Sequence, residues 1–305
     1  MIERFSHGKL LWVNLKNPTL EEVQKIMDEL DLPPQLMTDL TTPVPRNSAQ
    51  MIDDTIKITL DFPVVKRADV EHPYEIKFLI SKKSLVTIQY EEMSALDRFR
   101  RQFEVAATLR KNQKHIMGAH LFFSLMNNLY DSASIKLDYI ESTLTDAETE
   151  VFNENDNEKQ MVFNIANISK KLIAFRHVMQ SHDAVFRDAH VQFESIYKNM
   201  FTQDLRNIQG QYFLVLRRTQ NLFDTLMALK ETNSALLSTK QSEIMKTLTI
   251  MAFITYPLTL LSSMFGMNTT SAPIIGIVGD FWIILGIMST ATICFFFYFK
   301  RKGWM

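Results

Sequence analysis

The chain has 305 residues, with 33 Lys and Arg set against 34 Asp and Glu and a formal net charge of −1. That balance excludes the basic excess of a nucleic-acid-binding surface, so no nucleic acid partner is expected. The single cysteine, Cys294, lies in a long apolar run and excludes both a disulfide framework and a thiolate metal site within one chain.

Mean hydropathy is −0.06, so most of the chain is expected to be soluble. The roughly 245 residues ahead of the first long apolar run are enough for one sizeable domain or two smaller ones. Met1 to His7 has no apolar core, so no cleaved signal peptide is expected and targeting falls to internal segments. Seven of the nine prolines lie at or before Pro73 and the next is Pro257, which sets the early part of the chain apart. There, Thr19 with Glu22 makes a capping box ahead of Val23, Ile26, Met27 and Leu30, so a helix is predicted after Asn17-Pro18. Ile56, Ile58, Leu60 and Phe62 alternate with Lys57, Thr59 and Asp61, the pattern of a half-buried strand. Tyr74 to Ile80 and Leu85 to Gln89 read as a hairpin around Ser81-Lys82-Lys83-Ser84, although that turn lacks Gly or Asn. Residues 1–100 are therefore expected to form a cytoplasmic α/β domain.

From Ala119 to Gln209 there is neither glycine nor proline, and apolar residues recur at helical intervals, as at Leu121, Leu125, Leu129 and Ile168, Leu172, Phe175, Met179. Residues 101–209 read as a helical hairpin that turns at the polar cluster Asn153 to Glu158. Eight acids and no Lys or Arg lie between Asp138 and Glu158. This acidic tip has two readings, a solvated helix end or a collector that concentrates cations. Residues 210–246 read as a stalk helix, starting near Tyr212 and continuing into the next segment. Its face of Leu222, Leu226, Leu229, Asn233, Leu236, Leu237, Lys240 and Ile244 asks for partner helices. Gly210 is open to reading as a boundary or a bend.

Thr247 to Phe265 carries no charge and, at about 1.5 Å per residue, gives roughly 28 Å, the thickness of a bilayer's apolar core. Phe281 to Phe299 is a second uncharged run of the same length. Lys240 and Lys246 precede the first, Lys300, Arg301 and Lys302 follow the second, and the segment between them has no Lys or Arg. This predicts a hairpin of membrane helices at 247–268 and 281–299, an outer loop at 269–280, a basic cytoplasmic tail at 300–305, and both termini on the cytoplasmic side of the cell membrane.

Tyr256-Pro257-Leu258-Thr259, then Met264-Phe265-Gly266-Met267-Asn268, a short loop, a second span and a terminal Lys300-Arg301-Lys302-Gly303-Trp304-Met305 resemble the CorA family of divalent-cation transporters. The triplet Gly266-Met267-Asn268 matches that family's signature at the end of the first span. The resemblance covers the whole architecture, with residues matched one by one from about Leu248 onward. It implies a homopentameric channel, with magnesium as both transported and regulatory ion, and cobalt, nickel or zinc as alternatives. It also implies that Gly266, Met267 and Asn268 select the ion. Intracellular magnesium would bridge carboxylates of adjacent soluble domains to hold the pore shut, but the regulatory metal residues are not assignable from the sequence.

A helical walk back from Asn268 meets Ser263, Thr259, Tyr256, Ala252, Leu248 and Met245, a face hydroxylated in its outer half and apolar in its inner half. Magnesium gives up water reluctantly, so neutral oxygen dipoles that hold a hydrated ion suit it better than a ring of charges. The apolar members would close the path by dewetting, or else pack against lipid and helices. Gly266-Met267-Asn268 also reads as an ordinary helix cap. Pro257 frees a backbone carbonyl and bends the span. Lys300, Arg301 and Lys302 read as membrane-surface anchors or as a basic ring at the pore mouth. One departure from the family pattern concerns the outer loop, where many members have an acid shortly after a proline. Here Pro273 is followed by Ile274, leaving Asp280 as the loop acid.

Other functions have less to stand on. No phosphate-binding glycine loop, HExxH or nucleophile cluster supports an enzyme. His115, His120, His177, His182 and His190 make no ligand pattern, and the last three read as a solvated or packed helix surface. A membrane-anchored scaffold or sensor is the remaining alternative, as is proton-coupled zinc transport by a protein of the same superfamily.

Overall fold

The structure is a computed structural model, and it describes residues 1–8, 10–43, 46–64, 73–109, 117–152, 158–267, 274 and 278–303. The chain divides into two compact units, Met1–Leu229 and Lys230–Met305.

The first unit is built on a six-stranded sheet of β1 (Ile2–His7), β2 (Leu10–Lys16), β3 (Ser48–Ile52), β4 (Thr55–Phe62), β5 (Tyr74–Ile80) and β6 (Ser84–Gln89). Their order is β1-β2-β6-β5-β4-β3. Every neighbouring pair is antiparallel except β2 and β6, which run parallel with Val13 opposite Val86. A buried polar chain fixes that parallel register. The Trp12 indole donates to Thr87 Oγ1 at 3.0 Å, and the Thr87 hydroxyl donates to Asn14 Oδ1 at 2.9 Å. Shifting the pair by one residue would leave those groups buried without partners.

Both faces of the sheet are covered. On one side Val13, Leu15, Leu79, Val86 and Ile88 pack with Val23, Ile26 and Met27 of α1 (Leu20–Leu30) and with Leu36 and Leu40, the latter in α2 (Met37–Thr41). The capping box forms as predicted: Thr19 caps the Glu22 amide and the Glu22 carboxylate reaches back to Thr19. On the other side Trp12, Ile58, Leu60, Phe62 and Phe78 join one large core with the later helices. The predicted half-buried character of β4 is therefore corrected, because Lys57 and Thr59 are buried as well as their apolar neighbours. The short helix α2 lies over that face and supplies the partners that make its burial tolerable. Lys57 pairs with the Asp39 carboxylate. Lys77 donates to the Asp39 carbonyl, to the Thr42 carbonyl at 2.6 Å and to the Tyr90 hydroxyl at 2.8 Å, with Glu75 at 3.2 Å.

The helices of the first unit are α3 (Ser94–Leu109), α4 (Gly118–Phe152), α5 (Glu158–Gln180), α6 (His182–Tyr197) and the first part of α7 (Thr202–Phe265). Of the predicted turn Asn153 to Glu158, residues 153–157 lie outside the described residues and Glu158 already opens α5, with helices on both sides as expected. Two further breaks were not visible in the glycine- and proline-free sequence. At the first, Asn47 bonds to Ser181 while the Ser181 hydroxyl turns back to the Val178 carbonyl at 2.7 Å. At the second, Lys198 takes φ of 52°, followed by a tight turn to Phe201. Helix α7 then starts at Thr202, earlier than predicted, and passes through Gly210 without a break. Its buried residues Leu205, Ile208, Tyr212, Val215, Thr219, Leu222, Leu226 and Leu229 make a stripe at three- and four-residue spacing.

The second unit contains the rest of α7 and α8 (Asp280–Arg301). Between Lys230 and Thr249 no residue is buried, and burial resumes only at Ile250.

Candidate transmembrane site

Two helical segments are long and apolar enough to cross a membrane, the end of α7 and the whole of α8. In α7, Ile250 is buried and Ile254, Pro257, Leu258, Leu261 and Phe265 are partly buried. In α8 the corresponding stripe is Ile284, Met288, Ala291, Thr292, Phe295 and the buried Phe299. The ring of Phe253 lies 6.4 Å from that of Phe299, so these stripes are where the two helices meet.

The face predicted from the sequence is a different one. Met245, Leu248, Tyr256, Thr259 and Ser263 are exposed, and the small Ala252 is partly so. At about 100° per residue, the centre of this set lies roughly 180° around the helix from the stripe that meets α8. One copy of the chain thus packs one side of α7 and leaves the hydroxyl-bearing side without a partner.

The hydroxyls there have a defined polarity. Thr259 donates to the Thr255 carbonyl at 2.9 Å, and Thr249 to the Met245 carbonyl at 2.7 Å. Thr255 does the same to Met251. A threonine that spends its proton on its own helix presents only lone pairs outward. Water bound to a cation donates hydrogen bonds, so such oxygens suit a hydrated ion. Thr255 was not selected from the sequence; at about 100° per residue it lies roughly 40° from Thr259. Pro257 has no amide proton for the Phe253 carbonyl.

Helix α7 ends at Phe265. The Gly266 amide bonds to the Ser262 carbonyl at 3.0 Å and the Met267 amide to the Met264 carbonyl at 3.4 Å. Gly266 is absent from the residues with positive φ, so the left-handed cap is not formed at this glycine. Asn268, predicted as the end of the first span, and residues 269–273 and 275–277 of the predicted loop lie outside the described residues. Asp280 opens α8, and its carboxylate accepts from the Phe281 amide at 2.7 Å. At the other end Lys300 and Arg301 occupy the last turn of α8, and the Lys302 ammonium lies 5.7 Å from the Tyr298 ring.

Two other predicted features resolve in the first unit. Within the acidic tip, Asp138 and Glu141 pair with Arg218 of α7, so part of this run is neutralised by its own chain. His182 is fully buried among Phe62, Tyr130, Phe186 and Tyr212. His177 and His190 are on exposed positions, which leaves the packed reading to His182 alone. Among the described residues no group of three or more His, Cys, Asp or Glu is placed to hold a metal ion.

A mixed α/β domain, a long helix that ends in a membrane span and a second C-terminal span together define a two-span membrane protein whose first span has an exposed hydroxyl-bearing face. A family model described as CorA-like Mg2+ transporter protein matches residues 7–301, and the chain belongs to this family. The cobalt/magnesium transport protein CorA of Thermotoga maritima is 21% identical over 301 residues, covering 96% of this chain and 83% of the relative. The complete structure of the CorA magnesium transporter from Methanocaldococcus jannaschii superposes with a TM-score of 0.84 at 18% identity, covering 99% of this chain and 93% of that one. The ZntB cytoplasmic domain from Vibrio parahaemolyticus superposes with a TM-score of 0.61 at 15% identity over 76% of this chain and 89% of that domain. The chain is thus a membrane transport protein and not an enzyme.

Proposed function

We propose that several copies of this chain, five by analogy with the family, surround a path through which divalent cations, magnesium first among them, enter the cell down their gradient. The observation that carries this reading is the opposition of faces on α7: apolar contact with α8 on one side, outward lone pairs of Thr259 on the other. The bare stretch from Lys230 to Thr249 supports the assembly, since an isolated helix of about that length is marginal in water and needs tertiary partners.

In this reading Gly266, Met267 and Asn268 receive the hydrated ion at the outer end. Thr259 and Ser263 accept hydrogen bonds from its water shell, and Ala252, Leu248 and Met245 form the constriction that closes by dewetting. Tyr256 marks the boundary between those zones. Residues 1–209 sense intracellular magnesium and 210–246 relay the response, with both termini cytoplasmic as the flanking Lys and Arg direct. Cobalt is named as cargo in the Thermotoga relative and is the second ion to test.

The test is flux of magnesium, cobalt and zinc, each assayed separately, into liposomes holding the purified protein, with and without a pH gradient, together with Asn268→Ala. Magnesium entry that ignores the pH gradient and is lost in the variant, with assembly intact, is the expected result. Zinc-selective, proton-dependent entry would reassign the cargo and coupling. No flux of any ion would leave a scaffold or sensor.

A further inference from the structure

Where the chain turns from α6 into α7 it leaves a cleft inside the first unit. Lys198 takes φ of 52° at this turn, and Phe193, Tyr197 and Phe201 pack against one another, the last two edge to face at 5.1 Å. Farther from the turn, the rings of Phe186 in α6 and Tyr212 in α7 meet at 5.7 Å. Held at both places, the two helices frame an open cleft of about 710 Å³ with the buried Phe186 and Leu205 among its walls. Small-molecule sites span roughly 300–1,000 Å³, so the space fits an organic ligand and is far larger than one oxyanion needs.

The charged lining is mainly basic. Arg187 and His190 come from α6 and Arg206 from α7, against one carboxylate, Glu194. Asp183, one turn back, holds Arg187 at 3.2 Å and engages one nitrogen of a group with five N–H donors. Among the described residues, the side chains of Arg206, His190 and Gln209 make no hydrogen bond or ion pair with the chain. Two guanidiniums reaching one cleft from different helices suit phosphate, whose oxygens accept paired hydrogen bonds from the planar fork. The Phe186 and Leu205 walls suit an apolar ring joined to that phosphate. We propose that this cleft is a binding site for a small phosphorylated ligand of the nucleotide class, with Arg187 and Arg206 on its phosphates and Phe186 and Leu205 against its base. Such a ligand ties α6 to the first turns of α7, the helix that continues into the first membrane span. The site stands apart from the identity of the ion carried.

The test is equilibrium dialysis of ADP, adenosine and inorganic phosphate, each separately, against the full-length protein in detergent and metal-free buffer. ADP should bind at one site per chain and more tightly than either of its parts. Arg187→Gln and Arg206→Gln should each weaken ADP about tenfold, the worth of one charge-assisted hydrogen bond, and both side chains are exposed, so the fold should survive. Glu194→Gln removes the like charge and should tighten binding. Arg217→Gln, also exposed on α7 but outside the cleft, should leave it unchanged. No binding of ADP overturns the proposal, as does adenosine or inorganic phosphate binding as tightly as ADP. Equal weakening by Arg217→Gln and Arg206→Gln would mean diffuse attraction to a basic surface and overturn it too. Ion flux, present or absent, leaves these outcomes unaffected.

Discussion

Histidine 182 offers the sharpest quantitative test of the soluble unit. Its Nε2 lies 2.6 Å from the Asp61 carbonyl, which only accepts, so the proton sits on Nε2. Nδ1, 2.7 Å from the Tyr130 hydroxyl, then accepts from it. Both ring nitrogens are satisfied in the neutral form, and burial among aromatic rings holds the imidazole pKa down to about 4 from an ordinary 6.5. A base depressed in the folded state takes up protons more readily when unfolded, so stability is fully present above pH ~6.5 and is lost as pH falls towards ~4. Linkage between these values gives a loss of about 2 kcal/mol between pH 7 and pH 5, and about 3 kcal/mol once both forms are protonated. Asp61 acts in the opposite direction, because burial, with Glu75 nearby, raises its carboxyl pKa and favours the protonated folded state.

The comparison must therefore be made against His182→Gln, which keeps Asp61 and removes the titrating ring. Urea unfolding of the full-length protein in detergent, followed at pH 7 and pH 5, reads the difference. The wild type should lose about 2 kcal/mol more than the variant over this interval, although the variant starts from lower stability. Parallel losses in the two proteins would refute the buried neutral imidazole as the source of acid sensitivity.

Three other substitutions probe separate links. A Cβ added at Gly118 would lie 2.2 Å from the Ser84 carbonyl oxygen, which is pinned by the Ser81 amide, so Gly118→Ala should cost about 1–3 kcal/mol by the same unfolding assay. Lys77→Met removes the cation beside the nearly buried Glu75 and should cost about 3–5 kcal/mol, while an exposed-surface control such as Lys82→Met should change little. Thr259→Val keeps the shape of the side chain but removes its outward oxygen. If that oxygen receives the ion's water shell, liposome flux should fall by about tenfold, the worth of one charge-assisted hydrogen bond, with assembly unchanged on size exclusion.

What the sequence disclosed depended on how local its cause was. The α1 cap, the existence of strand β4 and the two uncharged spans each follow from residues within a turn or two of each other, and each appears in the structure. Burial of the second face of β4 was hidden because Lys57 and Lys77 read as solvent residues until Asp39, Thr42 and Tyr90 arrive from elsewhere in the chain. Strands β1 and β2 escaped notice for a similar reason, since β2 gains its parallel neighbour only from β6. The break before His182 is likewise tertiary: no helix-breaking residue marks it, and its partners Asn47, Asp61 and Tyr130 are all distant in sequence.

The polar face of α7 shows where helical arithmetic stops being a guide. From Met245 to Ser263 the spacing keeps the side chains within an arc of about 80°, but an unbroken helix would carry residue 268 about 140° away from Ser263, towards the side that meets α8. A role for Asn268 in line with Thr259 therefore requires the chain to leave the helix between them. Phe265 is the last helical residue, and the next position is a glycine whose added Cβ would come within 3.2 Å of the Ser262 carbonyl. A side chain at this position would thus press on the last helical turn, and the Ser262 carbonyl would have to give by a few tenths of an ångström to admit it. If Asn268 does lie in line with Thr259, Gly266 would be the position at which the register changes.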